Sequence, residues 1–226
     1  LRGRYRRLLA IAAGVIVKSR QMADTLLALG ARPDRLLISP SGANPELFHG
    51  SAPAQAPPRL LAVGRFVAKK GPLLTIRAFS QLCRSLEPSQ PQPSLWMVGD
   101  GPLLMHARSL VQALGLQERV RFFGVCAQGE VADLMRQVRG FVQHSLVAPD
   151  GDSEGNPVAV MEAQLSGLPV VATRHAGIPE VVLDGQSGLL VEEGDERAMA
   201  LAMAQLVRDP DLATRLGDCG RRRVQE

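Results

Sequence analysis

A chain of 226 residues with 46% hydrophobic and 21% charged residues has the composition of a folded globular protein, long enough for one sizeable domain plus a fragment. The net charge of +4 is small and only 4% of the residues are aromatic, which excludes a basic, aromatic platform for single-stranded nucleic acid. Three cysteines without metal-ligand spacing favour a reducing cytosol, and no apolar run is long enough to span a bilayer.

The first 50 residues predict a small unit of two helices and two short strands. Its basic start followed by an apolar stretch imitates a signal peptide, but the polar residues from Lys18 onward and the lack of a cleavage site argue against one. The predicted elements are a helix over 4–13, a strand over 14–18, a helix over 19–29 capped by Ser19, and a strand over 36–38. Such a unit cannot build its own core, so we expect it to be part of a larger domain that continues upstream.

Residues 51–58 are small and proline-rich and predict a linker. From residue 59 onward, strands alternate with helices nearly to the end of the chain. The predicted strands are 60–63, 95–98, 120–123, 141–143, 170–172 and 188–191. Two predicted helices end near residues 86 and 114. The later ones cover 130–139, a segment that begins after Asn156, 177–182, 195–207 and 211–224. This alternation predicts an α/β fold with a Rossmann-like, doubly wound parallel sheet.

The loop before the fourth of these helices carries the first candidate site. Asn156 is a good N-cap and Pro157 suits the first helical position, so the backbone amides from Val158 onward lack helical partners and attract an anion. Gly155 allows a close approach of ligand or backbone. Glu154 flanks this positive helix end, although it could equally serve only to complement the helix dipole.

The same helix carries a second carboxylate, Glu162. Val158, Met161 and Leu165 share one helical face and are expected to pack inward, which would leave Glu162 on the rim of that face. A phosphate at the helix start with hydroxyl-bearing sugars on either side would use the cap, the glycine and both carboxylates. The alternative is that Glu162 is an ordinary solvated helix residue.

Two basic residues follow the strand that ends at residue 63. Arg65 and Lys70 could neutralise a diphosphate without a metal, the first as a planar fork and the second as a point charge. Either residue alone is better explained as a surface group in a glycine loop. The spacing Gly-Arg…Lys-Gly, from Gly64 to Gly71, is what gives the pair its meaning.

These motifs together resemble a known family. Glu154 and Glu162, followed by the segments 166–173 (SGLPVVAT) and 177–180 (GIPE), look like the donor site of retaining glycosyltransferase family 4, also called glycosyl transferases group 1. The loop over 149–155 is similar to that of members that build bacterial exopolysaccharides. The resemblance implies a GT-B architecture, of which residues 59–226 are the nucleotide-sugar donor-binding domain and residues 1–50 the end of the N-terminal, acceptor-binding domain.

The resemblance also implies residue roles. Arg65 and Lys70 would bind the diphosphate, Glu162 the ribose hydroxyls, and Glu154 the hydroxyls of the donated sugar. The backbone from Gly155 through Asn156 and Pro157 to Val158 would face the distal phosphate. The loop around Val125 and Cys126 would cradle the base. Glu154, Arg65 and Lys70 are thus the residues expected to act in catalysis.

The implied activity is transfer of a hexose, with retention, from a UDP-, GDP- or ADP-sugar to a saccharide or lipid-linked acceptor in bacterial polysaccharide biosynthesis. No cofactor and no metal are expected. The acceptor pocket would belong to the N-terminal domain, so this half alone should bind nucleotide but transfer little sugar. We expect a cytoplasmic protein, with peripheral contact at the inner membrane face as an open alternative.

Other interpretations stay open at this point. A sugar-nucleotide epimerase or a non-catalytic nucleotide-binding module would use the same architecture. Gly99 and Gly101 resemble a fragment of a dinucleotide fingerprint, but the full motif does not follow the first strand. The triplet from Asp150 to Asp152 resembles a metal motif that is frequent by chance. His175 has no partner at a useful spacing, so we take it as a loop residue.

Overall fold

The computed structural model describes residues 2–155 and 157–226. Within these ranges a small two-stranded sheet is joined by the irregular segment over 39–58 to a six-stranded sheet. The strands are β1 (Val15–Val17), β2 (Leu36–Ile38), β3 (Arg59–Val63), β4 (Ser94–Val98), β5 (Val120–Gly124), β6 (Gly140–Gln143), β7 (Val170–Thr173) and β8 (Gly188–Val191). The helices are α1 (Arg2–Ile11), α2 (Arg20–Ala28), α3 (Pro72–Arg84), α4 (Leu104–Ala113), α5 (Gln128–Met135), α6 (Val158–Ser166), α7 (Ile178–Val181), α8 (Glu196–Arg208) and α9 (Pro210–Gln225).

All strand pairs of the larger sheet are parallel, in the order β5-β4-β3-β6-β7-β8. The strand order therefore reverses between β3 and β6, where Leu60 pairs with Leu95 on one side and with Gly140 on the other. This reversal is the switch point of a doubly wound sheet, the place where ligands bind at the carboxyl ends of the strands. The predicted Rossmann-like sheet is confirmed.

The core lies on both faces of this sheet. Because side chains alternate along a strand, Leu60 points to the face covered by α3, α4 and α8, and its neighbour Leu61 points to the face covered by α5 and α6. Phe48, from the irregular segment before β3, is fully buried in the second cluster. The segment that precedes the larger sheet is thus anchored on it.

Several helices are preceded by a residue whose side chain accepts a hydrogen bond from a backbone amide of the first helical turn. Ser19 accepts a hydrogen bond from the Met22 N–H at 3.2 Å, and Asp195 and Asp209 cap α8 and α9 in the same way. The predicted helix over 130–139 is placed differently: α5 covers Gln128–Met135, and the N–H of Arg139, the residue before β6, donates to the carbonyl of Arg59 at the start of β3. The other predicted boundaries differ by a few residues at most.

Candidate functional site

The candidate site lies at the switch point of the large sheet. A cleft opens at the carboxyl ends of β3 and β6, and its lining includes Gly64, Arg65, Lys70 and Gln143. The loop after β6 returns to this same edge before α6 begins at Val158. The order of the strands therefore places the start of α6 beside the loop after β3.

A glycine fixes how the two loops meet. Gly71, at the start of α3, has a φ of +51°, and a Cβ added there would lie 2.1 Å from the His144 carbonyl oxygen. Only glycine allows this backbone conformation together with so close an approach. The Leu146 N–H donates to the Lys69 carbonyl at 3.0 Å and ties the loops together a second time. The lysine pair preceding Gly71 is thereby held against the loop that follows β6.

The structure brings Lys70 and Glu154 together. The Lys70 Nζ lies 3.1 Å from Glu154 Oε2, and the two side chains are 16% and 10% exposed. Lys69 lies on the other side of the same carboxylate, with its Nζ 3.8 Å from Glu154 Oε1 and 3.0 Å from Asp152 Oδ1. It also donates to the Ser153 carbonyl at 3.2 Å. The sequence argument gave Lys69 no role, although it is the first lysine of the same pair.

The charges in this cluster are not fully satisfied. Burial lowers the pKa of Lys70, and the neighbouring Lys69 and Arg65 lower it further, against the opposing effect of Glu154. Glu154 Oε1 is buried and accepts no hydrogen bond from any residue that the structure describes. An entering anion could therefore take Lys70 as its partner, and Glu154 would then be available to accept hydrogen bonds from hydroxyl groups.

The start of α6 differs from the prediction by one position. Pro157 occupies the N-cap, with φ −76° and ψ 101°, and the helix begins at Val158. Val158 was expected to pack inward, which is wrong: it is 37% exposed at the mouth of the helix, while Met161 and Leu165 are buried as expected. The predicted N-cap, Asn156, lies outside the described residues.

Glu162 is buried, not solvated and not on the rim. Its side chain is 7% exposed, and burial raises the pKa of its carboxyl. The expectation failed because α6 is covered by neighbours on most sides, so that every residue from Val160 to Ser166 is buried. The structure shows no direct contact of Glu162 with the Lys70–Glu154 pair.

The loop predicted to cradle a base follows β5, at the edge of the sheet. Val125 is 79% exposed and Cys126 is half-buried. The Gly99 N–H donates to the Gly124 carbonyl at 2.7 Å, which ties the end of β5 to the end of β4. Val125 and Cys126 thus follow the carboxyl end of β5, as Arg65 follows the carboxyl end of β3, two strands away in the sheet. Arg65 is exposed.

His175 has partners that the sequence did not reveal. Its side chain is 2% exposed, with Nδ1 2.5 Å from Glu193 Oε1 and Nε2 3.1 Å from the Glu154 backbone nitrogen. His175 does lie in a loop, after β7 and before α7, but the expectation that it has no partner is wrong. His144 is fully buried and accepts a hydrogen bond from the Gly194 N–H at 2.9 Å.

The described ranges contain neither a metal-binding cluster nor a helix suited to span a membrane. Outside Leu1 and Asn156, no group of three or more histidine, cysteine and acidic residues is placed to hold a metal ion. Over the same part of the chain, no helix combines the length and the apolar character needed to cross a bilayer. Asp152 of the metal-like triplet instead pairs with Lys69.

Comparison with known proteins agrees with this architecture. The family model described as glycosyl transferases group 1 matches residues 44–223. The amylovoran biosynthesis glycosyltransferase AmsK of Erwinia amylovora is 33% identical over 204 residues, which make up 89% of this chain and 49% of that protein. The chain spans just under half the length of the first curated relatives it matches.

Solved structures share the fold. Sucrose-phosphate synthase from Thermosynechococcus elongatus matches with a TM-score of 0.82 and 30% identity, over 97% of this chain and 55% of that one. Anabaena Alr3699/HepE, solved in complex with UDP and glucose, matches with a TM-score of 0.84 and 22% identity over 100% of this chain and 63% of that one. The chain therefore belongs to the family of glycosyl transferases group 1.

Proposed function

We propose that the chain supplies the nucleotide-sugar donor site of a retaining hexosyltransferase that acts in bacterial polysaccharide biosynthesis. The observation that carries this proposal is the Lys70–Glu154 pair, which places a cation suited to phosphate against a carboxylate suited to sugar hydroxyls at 3.1 Å. Family membership and the amylovoran relative support the class of reaction.

The roles follow from the chemistry of each group. Lys70 and the exposed Arg65 bind the diphosphate and stabilise the charge that develops on it as the bond to the sugar breaks. The backbone from Gly155 to Val158, which includes Asn156 and Pro157, presents the positive end of α6 to the distal phosphate. Much of the rate then comes from orientation and electrostatic stabilisation, with no nucleophilic side chain required.

The two carboxylates bind the two sugars of the donor. Glu154 exchanges its ion pair with Lys70 for hydrogen bonds from the donated hexose. Glu162, which is buried and has a raised pKa, accepts hydrogen bonds from the ribose hydroxyls. The loop of Val125 and Cys126, at the same sheet edge, contacts the base. Any of UDP, GDP and ADP fits this description.

The acceptor is assigned to residues outside the large sheet. Residues 1–50 are proposed to be the end of an N-terminal acceptor domain, and 59–226 the donor domain, joined by the linker over 51–58. A saccharide or a lipid-linked saccharide would then enter between them. The two-stranded sheet of β1 and β2, which leaves Ile16 and Leu37 largely exposed, supports the continuation of that domain beyond this unit.

A lipid-linked acceptor would bring the protein to a membrane surface. Helix α1 supports this, since Arg4, Arg6 and Arg7 are exposed on it together with Tyr5 and Leu8. The chain should pellet together with vesicles that contain anionic lipid. Replacement of the three arginines by glutamine should leave it in the supernatant. Equal sedimentation with uncharged vesicles would contradict the proposed contact.

Titration calorimetry tests the donor site directly. The chain is titrated with UDP, GDP and ADP at up to millimolar concentration, and each monophosphate serves as the matched control ligand. We expect at least one diphosphate to bind, and to bind more tightly than its monophosphate, because Arg65 and Lys70 contact the second phosphate. A chain that binds none of the three diphosphates would overturn the proposal.

A further inference from the structure

A buried histidine lies directly behind the backbone of Glu154. His175 Nδ1 is 2.5 Å from Glu193 Oε1, and the second oxygen of Glu193 accepts a hydrogen bond from the Val147 N–H at 3.0 Å. These two hydrogen bonds lower the pKa of Glu193 although its burial alone would raise it. Glu193 is thus held as a carboxylate against one nitrogen of the ring.

The other ring nitrogen faces the loop that carries the site. Nε2 of His175 lies 3.1 Å from the Glu154 backbone nitrogen and 3.1 Å from the Ser153 Oγ. A backbone N–H can only donate, so Nε2 must carry no proton, and Nδ1 must carry the proton and donate it to Glu193. The contacts therefore fix the tautomer of His175.

The turn after His175 holds the same loop at a second point. A Cβ added to Gly177 would lie 2.7 Å from the Gly155 carbonyl oxygen, so the bare Cα is packed directly on the loop. Between them, Ala176 has a φ of +48°, a left-handed conformation that is strained for a residue with a side chain. The turn keeps this strained shape while two of its residues contact the backbone beside Glu154.

We propose that His175 is a positioning residue, which together with Glu193 fixes the backbone of Glu154 so that its carboxylate is held where the donated sugar binds. The inference rests on the proposed function. It assigns to His175 no contact with the substrate. Its effect is to remove the freedom of the loop before the donor arrives, so that less ordering is required on binding.

The same three side chains also resemble a nucleophile, a base and a carboxylate in line. Ser153, His175 and Glu193 have the right order, but the single lone pair of Nε2 is shared with the Glu154 N–H. The hydroxyl of Ser153 is also within 3.4 Å of the Glu154 carbonyl as an alternative acceptor. Transfer of the Ser153 proton to Nε2 would remove the acceptor of the Glu154 N–H and so break the hydrogen bond that orders the loop. The arrangement is therefore suited to holding the loop and not to activating the serine.

Two substitutions separate the halves of this arrangement. In His175→Asn, the side-chain amide nitrogen replaces Nδ1 and can still donate to Glu193, but the Glu154 N–H loses its acceptor. In His175→Gln, the amide oxygen reaches the place of Nε2 and can accept from the Glu154 N–H. The two variants have similar polarity, so they form a matched pair.

The measured quantity is the ratio of the affinity for the nucleotide-sugar to the affinity for its parent diphosphate. We expect His175→Asn to lower this ratio about fivefold to tenfold, the effect of one lost hydrogen bond, and to leave the affinity for the diphosphate unchanged. His175→Gln should restore most of the ratio. An unchanged ratio in His175→Asn would overturn the inference, and so would equal loss of both affinities together with a lower melting temperature in both variants.

A second measurement does not depend on nucleotide. The ring nitrogens of His175 are observed by long-range proton–nitrogen NMR, with Glu193→Gln as the comparison. We expect a protonated Nδ1 and an unprotonated Nε2 in the wild type, and the same tautomer in Glu193→Gln, because the glutamine amide oxygen can still accept from Nδ1 and the Glu154 N–H still needs an acceptor. A proton on Nε2 in the wild type would overturn the inference. A wild type that has the expected tautomer and binds no nucleotide would instead refute the proposed function.

Discussion

Replacement of Lys70 by methionine separates the binding role of this residue from its part in the fold. Methionine keeps a flexible apolar side chain of similar length beside Gly64, where an added Cβ would lie 3.4 Å from the Lys70 Cδ. The substitution removes one charge and the 3.1 Å contact with Glu154. The question is which observable changes more, nucleotide affinity or stability.

The loss of affinity is expected to be the larger effect. A charge-assisted hydrogen bond to phosphate contributes about 1.5–3 kcal/mol, so Lys70→Met should weaken diphosphate binding about tenfold to a hundredfold. The loss of stability should stay near 1 kcal/mol, well below the roughly 3–5 kcal/mol for a fully broken buried pair. Two features reduce it: Lys69 remains 3.8 Å from Glu154, and burial lowers the pKa of Lys70, so that folding already disfavours this charge.

Calorimetry with the tightest-binding diphosphate, alongside denaturant unfolding, measures both quantities. Arg77→Met is the matched control, because it removes one positive charge from an exposed ion pair with Glu196. It should leave binding unchanged. In the double variant with Glu154→Gln, stability should recover because no buried carboxylate is left unpaired, while diphosphate affinity should stay low. Wild-type affinity in Lys70→Met would refute the assignment of Lys70 to the diphosphate.

Three further substitutions test other parts of the argument. Burial lowers the pKa of His144 to about 4. As the pH falls, the unfolded chain therefore protonates this ring before the folded chain does, and the free energy of unfolding should fall by roughly 3 kcal/mol between pH 6.5 and 4. His144→Gln should flatten this pH dependence in denaturant titrations. Glu180 accepts hydrogen bonds from the amides that begin α2, at 2.9 and 3.0 Å from the Arg20 nitrogen, and Glu180→Ala should speed hydrogen exchange there several-fold; unchanged exchange would contradict the cap. Burial raises the pKa of Glu162, so folding disfavours its charged form. Glu162→Gln at neutral pH should therefore raise the free energy of unfolding by about 1 kcal/mol and weaken nucleotide binding. A lower free energy of unfolding would show a structural role.

The sheet was predictable because its signal is repeated. Each strand is a short apolar run between turn residues, and the alternation with helices specifies parallel strands without any knowledge of contacts. The diphosphate role of Arg65 and Lys70 stays a prediction that the family resemblance implied. Parallel topology adds only that the loops after the strands meet at one edge of the sheet, where an anion could reach both residues.

The orientation of α6 was not predictable in the same way. The inward face was inferred from Val158, Met161 and Leu165, but this reasoning holds only for a helix with one solvent-exposed side. Helix α6 is covered by the sheet on one side and by α9 on another, where a Cβ on Gly217 would lie 2.1 Å from the Gly167 carbonyl oxygen. Val158 is exposed because it lies in the first turn, at the open edge of the sheet.

The environment of His175 was hidden for a different reason. Glu193 lies 18 residues further along the chain and the Glu154 amide 21 residues before it, and these are brought together only by the pairing of β6, β7 and β8. One of the two partners is a backbone group, which leaves no trace in the identity of any residue. The one available signal was that His175 follows the end of β7, at the same sheet edge as the other site loops.

A shifted pKa alone does not separate functional from structural groups in this molecule. His144 has a strongly lowered pKa, yet its ring accepts a hydrogen bond from the Gly194 N–H and lies beside the Met199 sulfur. The neutral ring therefore stabilises the folded state. Folding also disfavours the charged forms of Lys70 and Glu162, but lysine and glutamate side chains are ordinarily charged at neutral pH, whereas an imidazole is ordinarily neutral there. A core selected for stability alone would replace such charges by apolar side chains. The proposed ligand would complement both groups, with its diphosphate at the lysine and its ribose hydroxyls at the carboxylate.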